Sequence, residues 1–220
     1  MTSPLYAPWI KIPEQGWRPI PLGGRGRFAI LSPPGLYTVK LSIGEKEFSQ
    51  KLTVKKDPNS TGTENDIQAQ TKLLTEIRND VNAVVDMINQ LEWMRKQMID
   101  LNARLKPDKG AESIKAAGKA LDGKLISLES NLCQLAATGR GQDSTYLKSQ
   151  LLSKLLGFTG IVAEADFPPT TQQLERQGAF KIELDTYRNQ FNELLKKDLT
   201  AFNGLLKEKN IPILTTAKNP

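Results

Sequence analysis

The sequence predicts a mainly α-helical fold. We predict an antiparallel up-down bundle of four helices, the first and last long, with a small N-terminal antiparallel β unit packed at one end. Two observations predict it. Apolar residues recur at alternating spacings of three and four over residues 64–105 and again in three later segments, which is the helical bundle pattern. Strand-like alternation occurs only before residue 58. We therefore predict two units, an arm with a β-hairpin over residues 1–58 and a helical bundle over residues 59–220.

The first 35 residues form an arm that is rich in Pro and Gly and shows little periodicity. It contains Trp9 and Trp17, and a Gly/Arg cluster places Arg25 and Arg27 before an apolar run. An exposed indole loses the large favourable free energy that burial of its ring would provide, so we expect the arm to lie against a surface. That surface is either its own domain or a neighbouring domain. These four residues are the candidate interaction residues.

The β unit follows a Pro-Pro-Gly turn signal at residues 33–35. Tyr37, Val39, Leu41 and Ile43 alternate with polar residues, which predicts a strand with one apolar face. Gly44 and Glu45 fit a two-residue hairpin turn with Gly at its first central position. A return strand over residues 46–54 and an earlier strand over residues 28–31 complete a three-stranded unit. A unit of this size needs a cover for its apolar face.

The hairpin and the chain that follows it resemble one family. The phrases PGLYTVKL at residues 34–41 and KLTVKKDP at residues 51–58 are similar to the end of an immunoglobulin-like strand segment in large bacterial BNR-repeat, sortilin-type, glycosyl-hydrolase-like proteins. PPT at 168–170, FN at 202–203 and NIP at 210–212 are also similar to the close of their helical C-terminal region. The resemblance implies the C-terminal part of a larger exported β-propeller protein, in the periplasm or outside the cell. The propeller is absent here, and no catalytic residue transfers.

The first helix is predicted over residues 64–105. Residues 57–63 form a linker, and Thr61 and Glu64 read as a capping box. At 1.5 Å per residue the helix is roughly 60 Å long. Its seam includes three polar members, Gln70, Arg95 and Asn102. The apolar members of the seam are Ile67, Leu74, Ile77, Val81, Val84, Ile88, Leu91, Met98 and Leu105. Trp93 and three methionines flank the seam, either widening the core or lining a groove for a partner; these methionines are Met87, Met94 and Met98.

Three further helices are predicted from the same spacing. The second carries Ile114, Leu121, Leu125, Leu128, Leu132 and Leu135; the third carries Leu147, Leu151, Leu155, Phe158 and Val162; the fourth, about residues 171–209, carries Leu174, Leu184, Tyr187, Phe191, Leu194, Phe202 and Leu205. Short loops favour antiparallel neighbours, so we predict alternating directions. The overhang of the outer helices should then cover the β unit, with Ile211, Ile213 and Leu214 packing across that junction.

Composition excludes several classes of function. The 220-residue chain has no histidine, which removes Ser-His-Asp and Cys-His catalysis and the common zinc sites. The formal charge of +6 is concentrated in residues 1–60, where nine Lys and Arg face four Asp and Glu. The near-neutral helical part argues against nucleic-acid binding. No apolar run is long enough to span a membrane, and the first residues lack a signal-peptide pattern. The location is therefore cytoplasmic if Met1 is the natural start.

The remaining motifs favour structural interpretations. Residues 118–125, GKALDGKL, approach a phosphate-binding P-loop, but Leu125 replaces the Ser or Thr and no strand precedes it. Two acidic pairs, Glu76 with Asp80 and Glu164 with Asp166, are typical of solvated surfaces rather than of glycoside hydrolysis. Cys133, the only cysteine, is expected to be a buried apolar side chain. Gly157 and Gly160 mark a close helix approach or a kink.

These observations predict a non-enzymatic accessory module without cofactor or metal, which docks or stabilises other domains of the same parent chain. The alternative is a stand-alone coiled-coil adaptor whose seam binds a second copy. An enzyme that acts on glycans through bundle carboxylates is the least favoured hypothesis. Glycoside hydrolysis needs one carboxyl group of raised pKa in a cleft, whereas carboxylates on a helix face are usually solvated.

Overall fold

The computed structural model describes residues 9–12, 16–19, 30–105, 111–137 and 142–216. Two hairpins come first, and helices follow. The elements in order are β1 (Trp9–Ile12), β2 (Gly16–Pro19), β3 (Gly35–Ile43), β4 (Lys46–Val54), α1 (Glu64–Leu105), α2 (Glu112–Leu132), the single turn α3 (Asp143–Tyr146), α4 (Leu151–Val162), α5 (Thr171–Glu193), a π-helical segment (Leu194–Leu199) and α6 (Thr200–Glu208). The last three elements form one continuous rod. The fold is therefore the predicted mainly α bundle, with long first and last helices and a small N-terminal β unit.

Helix α1 begins at Glu64 as predicted, but its capping pair lies two residues later than the sequence predicted. The hydroxyl of Thr63 accepts a hydrogen bond from the Asp66 N–H at 3.2 Å, and Oδ2 of Asp66 accepts one from the Thr63 N–H at 2.8 Å. This is a capping box with Asp in the place of Glu. The hydrogen bonds from Thr63 lower the pKa of the Asp66 carboxyl below its ordinary value. The proposed pair of Thr61 and Glu64 is therefore wrong.

The apolar seam of α1 is buried along most of the helix, as predicted. The side chains from Ile67 to Met98 in the predicted series are at most 8% exposed, apart from the polar Arg95. The buried surface is wider than one seam, because Leu73, Val85 and the three flanking methionines are also buried. A wide stripe means that helices cover α1 from two sides. The methionines therefore widen the core, and a partner groove is not formed there.

The two inner helices cover different halves of α1. Arg95 of α1 pairs with Asp122 and Glu129 of α2, whereas Gln70 donates a hydrogen bond to the carbonyl of Val162 at the end of α4. For α2, Asn102 lies beside Gly118 while Arg95, earlier in α1, reaches Glu129. At the other end, Gly62 meets Asp166 while Gln70 reaches Val162. In both cases chain numbers rise toward or along α1 while they fall along the partner. Helices α2 and α4 therefore run in the same direction, one after the other, antiparallel to α1. This differs from the predicted alternation of all four directions, because neither inner helix is long enough to cover α1 alone.

The rod formed by α5, the π-helical segment and α6 returns antiparallel to the inner helices. Lys154 of α4 pairs with Glu183, and Lys124 of α2 pairs with Asp198. The rod consequently runs parallel to α1 and ends near the C-terminal end of α1. The sequence predicted that the last helix would finish beside the hairpin, and this placement was wrong.

The π-helical segment changes which residues of the rod face the core. A π turn adds one residue to the helical repeat, so the buried face shifts by one position along the chain. The predicted Leu184 and Phe191 before the segment and Leu194 at its start are buried. After the segment the predicted Phe202 is buried, Leu206 is fully buried, and the predicted Leu205 is 37% exposed. Leu174, in the first turn of α5, is exposed as well. The predicted inward positions are thus wrong at these two leucines.

The chain reverses after α6 through a helix cap. Asn210 has a positive φ of 54°, its N–H bonds the Lys207 carbonyl, and the Ile211 N–H bonds the Leu206 carbonyl at 2.9 Å. This is the Schellman arrangement with Asn in the place of Gly. Leu214 then enters the core, and Gln97 of α1 accepts the Thr215 N–H at 3.0 Å. The tail closes the far end of the bundle, not the junction with the hairpin.

The β3–β4 hairpin has the predicted register but not the predicted cover. Ile43 pairs with Lys46 around a two-residue turn, and Gly44 at its first central position has a φ of +60°. That conformation favours Gly. In the described part of the chain this sheet has two strands, because Ile30 and Leu31 are not in a strand. Phe28 lies outside the described residues.

Gly62 provides a test of how the linker meets the bundle. A Cβ added there would overlap the carbonyl oxygen of Asp166, in the loop between α4 and α5. We predict that Gly62→Ala lowers the free energy of unfolding by about 1–3 kcal/mol, as overpacking does. The measurement is denaturant unfolding followed by circular dichroism.

Gly123, inside α2, is the matched control. A Cβ at this position meets no atom within 4 Å, so Gly123→Ala should raise the free energy of unfolding by about 0.5–1 kcal/mol. Equal stability of Gly62→Ala and the unaltered protein would show that the linker does not pack on the loop.

Candidate interaction site

One face of the β3–β4 hairpin is apolar and open to solvent. The register places alternate residues of the two strands on this face, which we call the hairpin face: Tyr37, Val39, Leu41, Ile43, Lys46, Phe48, Gln50 and Leu52. Its large aliphatic and Phe side chains are between 49% and 62% exposed. Leu41 lies directly opposite Phe48. The alternation that predicted this apolar face was correct, but the bundle does not cover it.

The opposite face of the hairpin is polar. Lys40 pairs with Glu47 at 3.1 Å, and Lys51 donates to the Thr38 hydroxyl at 2.9 Å. Both contacts join neighbouring strands across an exposed surface, where an ion pair contributes little to stability. The hairpin is therefore amphipathic with neither face packed on the helices, although an isolated two-stranded hairpin is marginally stable in water.

Exposed apolar residues also occur on the bundle at the end that adjoins the hairpin. Phe167 lies in the loop that touches Gly62, Leu174 lies in the first turn of α5, and Ile161 lies in the last turns of α4. All three are more than half exposed. The sequence analysis missed Phe167 and Ile161, and it placed Leu174 in the core. The hairpin face and this end of the bundle together form the candidate interaction site.

A charge cluster is buried between α1 and α2. Arg95 of α1 donates to Asp122 at 3.1 Å and also to Glu129, and both acids lie on α2. Glu129 is fully buried and Glu92 nearly so. Oε1 of Glu129 has no hydrogen-bond partner among the described residues. The sequence analysis identified Arg95 as a polar member of the seam but named neither glutamate.

Burial governs the titration of this cluster. Desolvation raises the pKa of Glu129 above its ordinary value, and the Arg95 charge only partly opposes this effect. Burial, followed by the charges of Glu129 and Glu92, also raises the pKa of the Cys133 thiol. A buried thiol with a raised pKa is a poor nucleophile. Cys133 is therefore inert at neutral pH, in agreement with its expected structural role.

A second group of polar contacts joins α1 to α5. Gln177 is nearly buried and donates to Asp80 at 2.5 Å, while Lys181 pairs with Glu76 at 2.6 Å. Burial raises the pKa of Asp80. The predicted acidic pair of Glu76 and Asp80 is thus used for contacts between helices.

The other sequence motifs do not assemble a site. Residues 118–125 lie inside α2, where Leu121 and Leu125 are buried, so they cannot form the loop that a P-loop needs. A shallow cleft of about 360 Å³ opens beside them, lined by Asn102, Lys115, Lys119 and Asp122. A Cβ at Gly157 or Gly160 would meet no atom within 4 Å. Neither glycine therefore permits a close helix contact.

Of the predicted interaction residues, two have described backbones. Trp9 pairs with Pro19 and Trp17 pairs with Lys11 in the β1–β2 hairpin. β1 lies beside α1. Arg25 and Arg27 lie outside the described residues.

No family model, curated protein or solved structure matches this chain. Within the described ranges, no three His, Cys, Asp or Glu side chains are grouped as a metal site requires. Every helix in the described part of the chain is too short or too polar to cross a bilayer.

The charge cluster leads to a prediction about stability. Arg95→Ala would leave Glu129 buried without its cation, so the free energy of unfolding should fall by about 3–5 kcal/mol. The matched control is Arg188→Ala, which breaks an exposed pair with Asp185 on one helix. That change should cost less than about 1 kcal/mol. Similar losses in both variants, measured by denaturant unfolding, would show that the cluster is not buried in solution.

A second prediction concerns pH. Because the folded protein holds the pKa of Glu129 above its unfolded value, folding favours the protonated acid. Glu129 therefore contributes less stability as the pH rises from its unfolded pKa through its folded pKa. Glu129→Gln removes this titration. We expect the variant to gain stability relative to the unaltered protein as the pH rises from about 4 to 7. A difference that is constant over this range would contradict the pKa direction.

Proposed function

We propose that this chain is a non-catalytic docking module in the C-terminal part of a larger exported β-propeller protein. In this proposal the hairpin face and the adjoining end of the bundle bind a neighbouring β-structured domain of the same polypeptide. The observation that carries the proposal is the uncovered apolar face on a hairpin that is too small to be stable alone. The resemblance at residues 34–41 and 51–58 supports the choice of parent.

The size of the hairpin face favours an occupant in the same polypeptide. Nine residues per strand give a length of about 30 Å, and two strands give a width of about 10 Å, so the footprint is about 300 Å². A stable complex between separate proteins usually buries about 800 Å² on each partner. A covalent link raises the effective concentration and makes a smaller contact sufficient.

The alternative function, a coiled-coil adaptor that pairs with a second copy, needs an open seam on α1. The predicted seam from Ile67 to Met98 is instead covered by the helices of the same chain. This burial favours the docking module over self-association through α1.

The proposal is tested with the segment encoded upstream in the same reading frame, produced as a separate polypeptide. We expect it to bind this chain, and Leu41→Lys to weaken the binding by at least about tenfold, because a buried Leu contributes about 1.5–3 kcal/mol. Isothermal titration calorimetry measures the affinity.

Ser49→Lys is the matched control, since it adds the same side chain on the opposite face of the hairpin, next to the Phe48 that lies opposite Leu41. It should leave the affinity nearly unchanged, and both variants should keep the thermal stability of the bundle. A reading frame that starts at Met1, or an upstream segment that does not bind, would overturn the proposal.

A further inference from the structure

We propose that the docked domain supplies an extended strand that pairs with the free edge of β3, while the edge of β4 stays open to solvent. This inference rests on the proposed function and names the mode of contact at the same site. Its occupant is a strand of the neighbouring domain in the parent polypeptide. The mode is β-augmentation, in which main-chain hydrogen bonds supply affinity and alternate side chains supply specificity.

The hairpin register exposes backbone groups on both edges. The pair that closes a two-residue turn is hydrogen-bonded, and hydrogen-bonded pairs then alternate along an antiparallel ladder. Ile43 and Lys46 are the closing pair. The N–H groups of Thr38, Lys40 and Ser42 therefore point outward from β3, and those of Ser49 and Lys51 point outward from β4. In the described part of the chain no third strand pairs with either edge.

Charge distinguishes the two edges. β3 has one charged residue in nine, Lys40, whereas β4 has three, Lys46, Glu47 and Lys51. Charged residues, lysine above all, protect exposed edges from pairing with other strands. The edge of β4 therefore carries the usual protection, and the edge of β3 has little of it.

The pattern of side chains on the hairpin face also favours pairing at the edge of β3. On β3 the face is apolar without interruption, through Tyr37, Val39, Leu41 and Ile43. On β4 the facing positions alternate between apolar and polar, because Gln50 lies opposite Val39 and Lys46 lies opposite Ile43. Because side chains on one face of a sheet pack against those of the neighbouring strand, this continuous apolar column offers favourable cross-strand contacts to an added strand. A strand added at β3 would also widen the contact area estimated above.

The test compares two proline variants in binding to the same upstream segment. Thr38→Pro removes an outward N–H from β3, and Ser49→Pro removes an outward N–H from β4. Neither removes a main-chain hydrogen bond between β3 and β4. Thr38→Pro also removes the exposed contact between the Thr38 hydroxyl and Lys51, and an exposed contact of this kind contributes little to stability. We expect Thr38→Pro to weaken binding by about tenfold or more and Ser49→Pro to change it by less than about threefold.

Amide hydrogen exchange on the unaltered complex gives a second readout that needs no variant. Binding should protect the amides of Thr38, Lys40 and Ser42 and leave those of Ser49 and Lys51 exchanging. Protection of the β4 amides, or of neither edge, would overturn the inference. If both proline variants bind normally while Leu41→Lys does not, docking through the face stands and strand pairing at β3 is wrong.

Discussion

The length of α1 is the constraint on which the rest of the structure depends. A helix of 42 residues is roughly 60 Å long, and its apolar stripe must be covered along most of that length. Neither α2, with 21 residues, nor α4, with 12, can do this alone. They lie one after the other along α1, and the rod from Thr171 to Glu208 closes the other side. Helices α2 and α4 therefore cover α1 in two consecutive segments that run antiparallel to it, and the rod then runs parallel to α1.

Polar contacts set the register of this packing. Gln70 near the N-terminal end of α1 binds the carbonyl of Val162, and Arg95 toward its C-terminal end binds two acids of α2. A buried polar side chain is costly unless its partner is aligned, so each contact disfavours a shifted packing of the helices. The apolar side chains supply most of the stability, and these polar positions help to define one arrangement.

Periodicity was sufficient to predict the helices, but not their path. The bounds of α1, the apolar alternation of the hairpin and its Gly44 turn followed directly from residue spacing. The directions of α2 and α4 did not, because a seam shows which side of a helix is buried and not which partner covers it. The exposure of Leu205 was also not predicted, because the last helix was treated as α-helical throughout and it contains a π-helical segment.

The candidate site could be predicted only in part. Alternation identified the apolar residues of the hairpin face, but the sequence alone could not show that the bundle leaves them uncovered. The candidate interaction residues Trp9 and Trp17 were chosen from composition, and the structure describes only their backbone pairing in the β1–β2 hairpin. Glu129 gave no signal as a partner of Arg95, because an acid on a helix is usually exposed.

The central claim is that the helices satisfy one another within one chain, so that the hairpin end is the surface left for a partner. Light scattering of the purified chain across micromolar concentrations tests it most directly. The account predicts the mass of a single chain, 24.4 kDa, at every concentration. A mass that rises with concentration toward that of a dimer would contradict it.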